Sequence, residues 1–376
     1  MTTSNSIQIV DLQNQYNRLK PEIDKAIEEV LTEGNFINGK QVSLFTEELS
    51  SYLGSNHTIA CANGTDALQL AYMALELQPG DEIIIPAFNY VAAAEAARLL
   101  GLKVVFADVD PISFNLDPLD LEAKISPATK AVVAVHLFGQ ACDLERISEI
   151  CKTNHLFLIE DNAQAIGAEI TEGKYQGKKL GTIGIIGTTS FFPSKNLGCM
   201  GDGGALFCQD PELATRIRML ANHGQKTKYQ YDYIGINSRL DTLQAAILRV
   251  KLRHLDSFTA TRQAAARGYS QNLNKIDGIT TPEISRFSTH VFHQYTIQFQ
   301  NEAIRNRVKQ NLNESGIQSM IYYPGCLHIQ KAYASKAVPK GSFPVSEHLC
   351  ERVLSLPIHS ETNAELVSYI CSKIEF

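Results

Sequence analysis

The chain has 376 residues, 44% of them hydrophobic and 20% charged, with 34 basic against 40 acidic side chains and a net charge of −6. At ~150 residues per domain the length fits two or three domains, and it excludes both a disordered chain and a disulfide-stapled mini-protein. The acidic balance argues against a broad nucleic-acid footprint while leaving room for a local basic pocket, and tryptophan is absent, so a flat ligand must stack on Phe, Tyr or His.

In chain order, Pro21 is expected to start a helix whose Ile23, Ile27 and Val30 share one face and which Gly34 ends. Strand-like runs follow at 58–61, 82–85, 104–107, 131–136, 156–159 and 188–192, separated by helical patterns at 65–77, 91–100, 119–125 and 144–153. Such alternation predicts an α/β domain with a largely parallel sheet. From Arg239 to about Leu273 the pattern becomes one long helix, with Leu243, Ala246, Ile247 and Val250 at helical spacing. The tail mixes strand-like runs (290–298, 320–323) with helices (301–313, 364–373), which suits a smaller α+β domain. We place the large domain at 1–255 and the small one at 256–376. The Lys- and Gly-rich stretch from Glu172 to Gly181 is expected to be an exposed loop.

The eight cysteines show no C-x-x-C pair, and none sits near an H-x₃₋₅-H, so no metal site is expected and they read as small buried thiols. The N-terminus lacks a basic start followed by an apolar core. The longest apolar stretch, Ile83 to Ala107, is broken by Pro86, Asn89, Glu95, Arg98 and Lys103, so no membrane span is expected. These features together predict a cytoplasmic protein.

Nicotinamide, P-loop, zincin and α/β-hydrolase motifs are all missing; GTIGIIG from Gly181 has the wrong glycine spacing. Four features remain, each with a plain reading beside the chemical one. A strand, a turn at Asn63-Gly64 and a helix near Thr65 make either an ordinary βα connection capped by Thr65 or a phosphate site at a helix N-terminus. Glu160 and Asp161 end an apolar strand, so Asp161 is either a helix cap or an acid that pairs with a ligand cation outside the sheet's carboxyl edge. Lys195 follows Ser-Phe-Phe-Pro-Ser amid Gly198, Gly201, Gly203 and Gly204; it is either a surface charge or a Schiff-base lysine held in a rigid, desolvated setting. Asn237, Ser238, Arg239 and Asp241 open the long helix, either as its cap (Ser238 or Asp241) or, through Asn237 and Arg239, as anion recognition. A lysine, a strand-end acid and an anion-binding helix start together fit pyridoxal 5'-phosphate.

The segments NGTDAL, EDNAQAIGA, SFFPSKNLG-x-x-GDGGA, GINSRLD-x-LQAAIL and YYP-x-x-LH resemble the DegT/DnrJ/EryC1/StrS family, from about Gln8 to the C-terminus. The resemblance implies the aspartate-aminotransferase fold (PLP fold type I), with a mostly parallel seven-stranded sheet in the large domain, and a homodimer with shared active sites. It implies a transaminase moving an amino group from L-glutamate to a nucleotide-linked keto-sugar, in amino-sugar and surface-glycan (polysaccharide) biosynthesis. In that reading Lys195 binds the cofactor covalently, Asp161 pairs with the pyridine nitrogen and Gln164 bonds the phenolic oxygen. Gly64, Thr65 and Ser190 hold the phosphate with Asn237 of the neighbouring subunit, and Tyr90 stacks on the ring. Arg239 is implied for the donor carboxylate or the nucleotide, and Tyr323 and His328 for the sugar-nucleotide pocket. The segments from Phe192 to Gly198 and from Gly201 to Gly204 look more like enzymes acting at C3 than at C4. Ile166 stands where many relatives carry His or a polar residue, and Tyr322 where some carry His. The competing functions are a C4 aminotransferase, a PLP- or PMP-dependent sugar dehydratase, which typically lacks the lysine, and a non-catalytic PLP-bound regulator.

Overall fold

The computed structural model describes residues 6–375. Two helices, α1 (Leu12–Glu33) and α2 (Lys40–Leu53), precede an alternating region of β1 (His57–Cys61), α3 (Gly64–Ala74), β2 (Glu82–Pro86), α4 (Ala92–Leu99), β3 (Lys103–Ala107), α5 (Pro118–Ala123), β4 (Thr129–Val135), α6 (Leu144–Thr153) and β5 (Phe157–Asp161). There follow β6 (Ile186–Ser190), β7 (Gly204–Cys208), α7 (Pro211–Leu220), a small hairpin of β8 (Gln225–Thr227) and β9 (Gln230–Tyr231), and the long α8 (Thr242–Leu273). The tail contains β10 (Ile279–Thr280), β11 (Tyr295–Phe299), α9 (Glu302–Glu314), α10 (Pro344–Arg352), β12 (Val353–Leu356) and α11 (Ala364–Cys371).

The large sheet has seven strands in the order β1-β7-β6-β5-β4-β2-β3, and only β7 runs against the rest. Strands β2, β3 and β4 are near-continuous apolar runs because helices cover both faces. Strand β7 escaped the sequence reading: its five residues are all buried, but Gly203 and Gly204 made the stretch look like loop. Helix α1 also differs from expectation. It starts at Leu12, capped by the Asp11 side chain, and Pro21 lies inside it. Pro21 and Asn17, whose carbonyl loses its partner there, are both exposed, so that carbonyl stays open to solvent. Gly34 does end the helix, in the left-handed conformation at φ 68°. The run at 320–323 is no strand; it forms a single bridge between Met320 and Ser355.

Helix α8 crosses the domain boundary we placed at 255/256, and its core changes along its length. Leu248, Leu252 and Leu255 pack with Phe45 and Leu49 of α2, whereas Ala265, Ala266, Tyr269 and Leu273 pack on β11 and β12 of the three-stranded sheet β10-β11-β12. All eight cysteines are free thiols, seven of them buried. Among the described residues no helix is long and apolar enough to cross a membrane.

Candidate active site

Successive side chains on a strand face opposite ways, and the end of β5 uses this. Glu160 turns away from the cavity, fully buried, and its two oxygens accept from the backbone N–H groups of Gly181, Ile183 and Gly184 at 2.6–2.8 Å and from His136 Nε2 at 2.9 Å. Burial alone would push this carboxyl up, but the bonds from His136, Gly184 and Gly181 outweigh it and hold it below the usual range. Asp161 faces the cavity. Its carboxylate accepts from the Ala163 N–H at 3.0 Å, and burial keeps its pKa above the ordinary value against the lowering effects of Ala163, Lys195 and His136.

Lys195 follows β6 through the turn Phe191–Pro193, where its own N–H bonds Phe192 O at 2.8 Å. Its side chain enters the cavity, and burial lowers its pKa to about 8, opposed by the charge of Asp161. Its Nζ has no hydrogen-bond partner among the described residues. An amine in this state is a competent nucleophile near neutral pH, as Schiff-base chemistry needs.

Helix α3 supplies the third wall. Its cap is Asn63, not Thr65: the Asn63 side chain accepts from the Asp66 N–H at 2.8 Å. Thr65 therefore sits in the first turn. Gly64 lies against β6, where a Cβ would fall 2.7 Å from Ser190 Cβ, so only glycine leaves this cradle open. Ser190 Oγ accepts from the Phe192 N–H at 3.2 Å, which leaves its proton for a ligand.

Lys195, Asp161, Gly64, Thr65, Ser190 and Gln164 line one cavity of about 430 Å³, together with Tyr90 and Tyr323. Gln164 Oε1 accepts from the Phe138 N–H at 2.8 Å and its Nε2 donates to the Tyr323 hydroxyl at 3.0 Å, so the amide is oriented and keeps one free N–H. Tyr323 packs on Phe88 at 5.7 Å between ring centroids, while Tyr90 is 60% exposed at the mouth. A larger surface depression lined by Asp11, His359 and Glu361 contains no nucleophile beside an acid of this kind.

Three expected residues lie outside the cavity. Asn237 is exposed and Arg239 half-buried, both on the segment leading into α8. His328, expected in the sugar-nucleotide pocket, is 1% exposed, its Nε2 pairs with Glu347 Oε1 at 3.0 Å, and its ring meets Phe343 at 4.7 Å. It fastens the turn after Tyr323 to α10. Ile166, similarly, faces an apolar cluster with Phe191 and Leu197. Among the polar residues lining the cavity, Asn89, Ser194, Asp202, His293 and Gln294 were given no role by the sequence, and Tyr322 was noted there only as a departure from some relatives. Asn89 and Tyr322 adjoin residues that were predicted, so adjacency was a usable signal; His293 and Gln294 come from the small domain and gave none.

The donor set fits pyridoxal phosphate: backbone and hydroxyl donors at a helix start for a phosphate, a buried acid for a pyridinium, and an unpartnered amine for the carbonyl carbon. Residues 17–375 match the DegT/DnrJ/EryC1/StrS aminotransferase family. The chain is 43% identical to UDP-2-acetamido-2-deoxy-3-oxo-D-glucuronate aminotransferase of Pseudomonas aeruginosa, over 98% of this chain and 99% of that one. It is 42% identical to a pleiotropic regulatory protein of Geobacillus stearothermophilus, over 98% of each. The crystal structure of S. venezuelae DesV in complex with a ketimine intermediate superposes with a TM-score of 0.93 at 37% identity, covering 98% of this chain and 97% of that one.

Proposed function

The chain belongs to the DegT/DnrJ/EryC1/StrS aminotransferase family, whose members are pyridoxal-phosphate enzymes, and from that premise we propose that it transfers the amino group of L-glutamate to C3 of a nucleotide-linked keto-sugar. The observation that carries this reading is the meeting of Lys195 and Asp161 in one cavity beside the α3 cradle. The 3-oxo substrate in the name of the Pseudomonas relative supports C3.

When bound, the cofactor supplies a ring that accepts electrons as a proton leaves or joins the carbon bearing the amino group. The protein's residues do the rest. The N–H groups that open α3, with the Thr65 and Ser190 hydroxyls, would hold the phosphate, and Asp161 would keep the ring nitrogen protonated. Gln164, fixed by Phe138 and Tyr323, would give its remaining N–H to the phenolic oxygen, and Tyr90 would cover the ring. Lys195, freed by the incoming amine, would carry the proton away from and back to the substrate carbon. Its lowered pKa lets it do so near neutral pH. Arg239 and Tyr323 remain our candidates for the nucleotide-sugar.

The same reading makes the protein a homodimer with shared sites. Ile234 is 91% exposed and Tyr229 and Tyr231 are exposed close to it in sequence, while Phe36, exposed between α1 and α2, accepts from the Thr242 N–H at the start of α8; a second copy would cover these side chains. Asn237, exposed on the same segment, would then reach the neighbour's phosphate. The eight free thiols support a cytoplasmic setting, where the product would feed glycan synthesis.

The test uses purified protein loaded with pyridoxal phosphate. L-Glutamate should bleach the visible absorption of the lysine-bound cofactor, and a UDP-linked 3-keto-sugar should yield one 2-oxoglutarate per amino sugar formed. Turnover with a 4-keto-sugar alone would move the reaction to C4. Cofactor binding without any 2-oxoglutarate would favour a regulator, a role that the name of the Geobacillus relative keeps in view.

A further inference from the structure

Two of the free thiols meet beside the cavity wall. Cys326 follows Tyr323 in the same turn, and Cys350 lies near the end of α10. Their sulfurs are 3.3 Å apart, the one contact between two thiols among the described residues. Both belong to the apolar cluster on which the cavity residues Tyr322 and Tyr323 pack.

Each side of the pair is anchored. The Asp108 carboxylate accepts from the N–H groups of Val345 and Ser346 and from the Ser346 hydroxyl at 2.6–3.0 Å, which fixes the start of α10. Arg305 of α9 donates to Cys350 O at 3.3 Å. On the other side, Leu327 N–H bonds Ala87 O at 3.1 Å, and Tyr323 accepts from Gln164 at 3.0 Å. Ala87 leads directly into Asn89 and Tyr90 of the cavity. A pull on Cys326 is therefore felt at Tyr323 and at Ala87. The two sulfurs also differ. Cys326 is 1% exposed and Cys350 7%. The contact with Cys350, together with burial, pushes the Cys326 thiol up, so Cys326 keeps its proton. Cys350 is thus the sulfur that a small oxidant reaches first.

We propose that Cys326 and Cys350 form a reversible disulfide that switches the active site off in the presence of peroxide. The Cys350 sulfur attacks one oxygen of hydrogen peroxide, the O–O bond breaks, and the departing hydroxide leaves as water with the Cys350 proton. The Cys326 sulfur then attacks the sulfenic sulfur so formed, the S–O bond breaks, and a second water leaves with the Cys326 proton. Two thiols and one peroxide give one disulfide and two waters, and a dithiol reverses the link by exchange. Bonding brings the sulfurs from 3.3 Å to about 2.05 Å. Whatever part of that approach the side chains do not absorb falls on the turn from Tyr322 to Leu327, because Asp108 and Arg305 hold α10. Tyr323 then shifts against Gln164. Disulfides inside cells are mostly transient ones of this kind. The link itself is independent of the proposed function, whereas its effect on turnover rests on that reading.

In the test, cofactor-loaded protein is treated with hydrogen peroxide and digested without reduction, and turnover is read on the same samples. A peptide linking Cys326 to Cys350 should appear, turnover should fall about tenfold in step with it, and dithiothreitol should reverse both. Cys326→Ala and Cys350→Ala should keep their turnover under peroxide. Absence of the linked peptide, full turnover in the linked protein, or equal loss in the alanine variants would overturn the proposal. Should those variants misfold, the wild type decides: a loss that dithiothreitol does not reverse, or that runs ahead of the linked peptide, overturns the switch. Reduced wild type without any turnover would instead overturn the proposed function, and the linked peptide with its reversal would still test the thiol pair.

Discussion

Glu160 and Asp161 are chain neighbours of the same chemistry, both buried at the end of one strand, and they have opposite fates. Glu160 has all its acceptor capacity filled by three backbone N–H groups and His136. It ties the 181–184 turn under the sheet and has nothing left to offer a ligand. Asp161 has a single backbone partner and a carboxylate raised by burial, which the protein alone leaves under-compensated. A buried group in that condition costs stability until something cationic arrives. The saturated acid holds the fold, and the unsaturated one awaits chemistry.

Substitution at Lys195 and Asp161 should give the largest functional effects. Lys195→Met is expected to lower turnover by on the order of 10⁴, yet to make the apo protein more stable at pH 7. The sign follows from burial: the ammonium must be desolvated on folding, a cost fully present below about pH 8 and gone above pH 10.5. Denaturant melts of apo protein at both pH values check this, and a variant less stable at pH 7 would break the argument. Asp161→Asn should cut turnover by about 10²–10³ with stability unchanged or raised. Glu160→Gln should do the reverse. It puts an amide NH₂ against backbone donors and is expected to cost ~3–5 kcal/mol, while whatever folds keeps near-wild-type kcat. Equal profiles for the two acid variants would erase the contrast.

How much of this contrast was legible in the sequence depended on how local each cause is. The apolar runs betrayed six strands of the large sheet, and the Pro and Gly around Lys195 betrayed its loop, because backbone constraint is written within a few residues. Asp161 was legible as the polar end of an apolar strand, but nothing in the sequence said that Glu160 beside it would be saturated, since its donors lie 21–24 residues away. The pairing of His328 was hidden for the same reason: its partner is 19 residues on, in a helix that the pattern did not reveal. His293 was invisible because only the packing of the small domain brings it to Asn196, 97 residues distant. Pro21 misled because solvent exposure, which makes a proline tolerable inside a helix, leaves no sequence mark.

A smaller effect tests the cradle. Gly64→Ala places a methyl carbon 2.7 Å from Ser190 Cβ, so β6 and the start of α3 must shift apart where the phosphate donors lie. Affinity for pyridoxal phosphate should fall about 10–100-fold while the aromatic and acid side of the cavity is untouched. Equilibrium dialysis reads this directly. Unchanged affinity would remove the α3 start from the cofactor site.

The mildest expected effect lies in the small domain and concerns acid. Burial lowers the pKa of His290 to about 3 and of His359 to about 4. Both rings are also built into the backbone, as His290 Nδ1 accepts from the Phe292 N–H at 2.9 Å and His359 Nδ1 from the Glu361 N–H at 3.2 Å. Protonation would destroy those acceptors, so each ring must stay neutral in the folded state. The unfolded chain binds a proton at each below about pH 6.5, the folded chain only below about 4 and 3. Stability contributed by the neutral rings is therefore present above pH 6.5 and lost as pH falls through 4 towards 3. Asp161, whose pKa is raised, acts the other way: the unfolded chain releases that proton first, so lowering the pH favours the folded state there. Denaturant midpoints measured from pH 7.5 to 4.5 should thus fall, and fall less in His290→Asn, whose Oδ1 stands where Nδ1 stood and can still accept from Phe292 without titrating. An equal fall in the variant would mean that the acid sensitivity arises outside this segment.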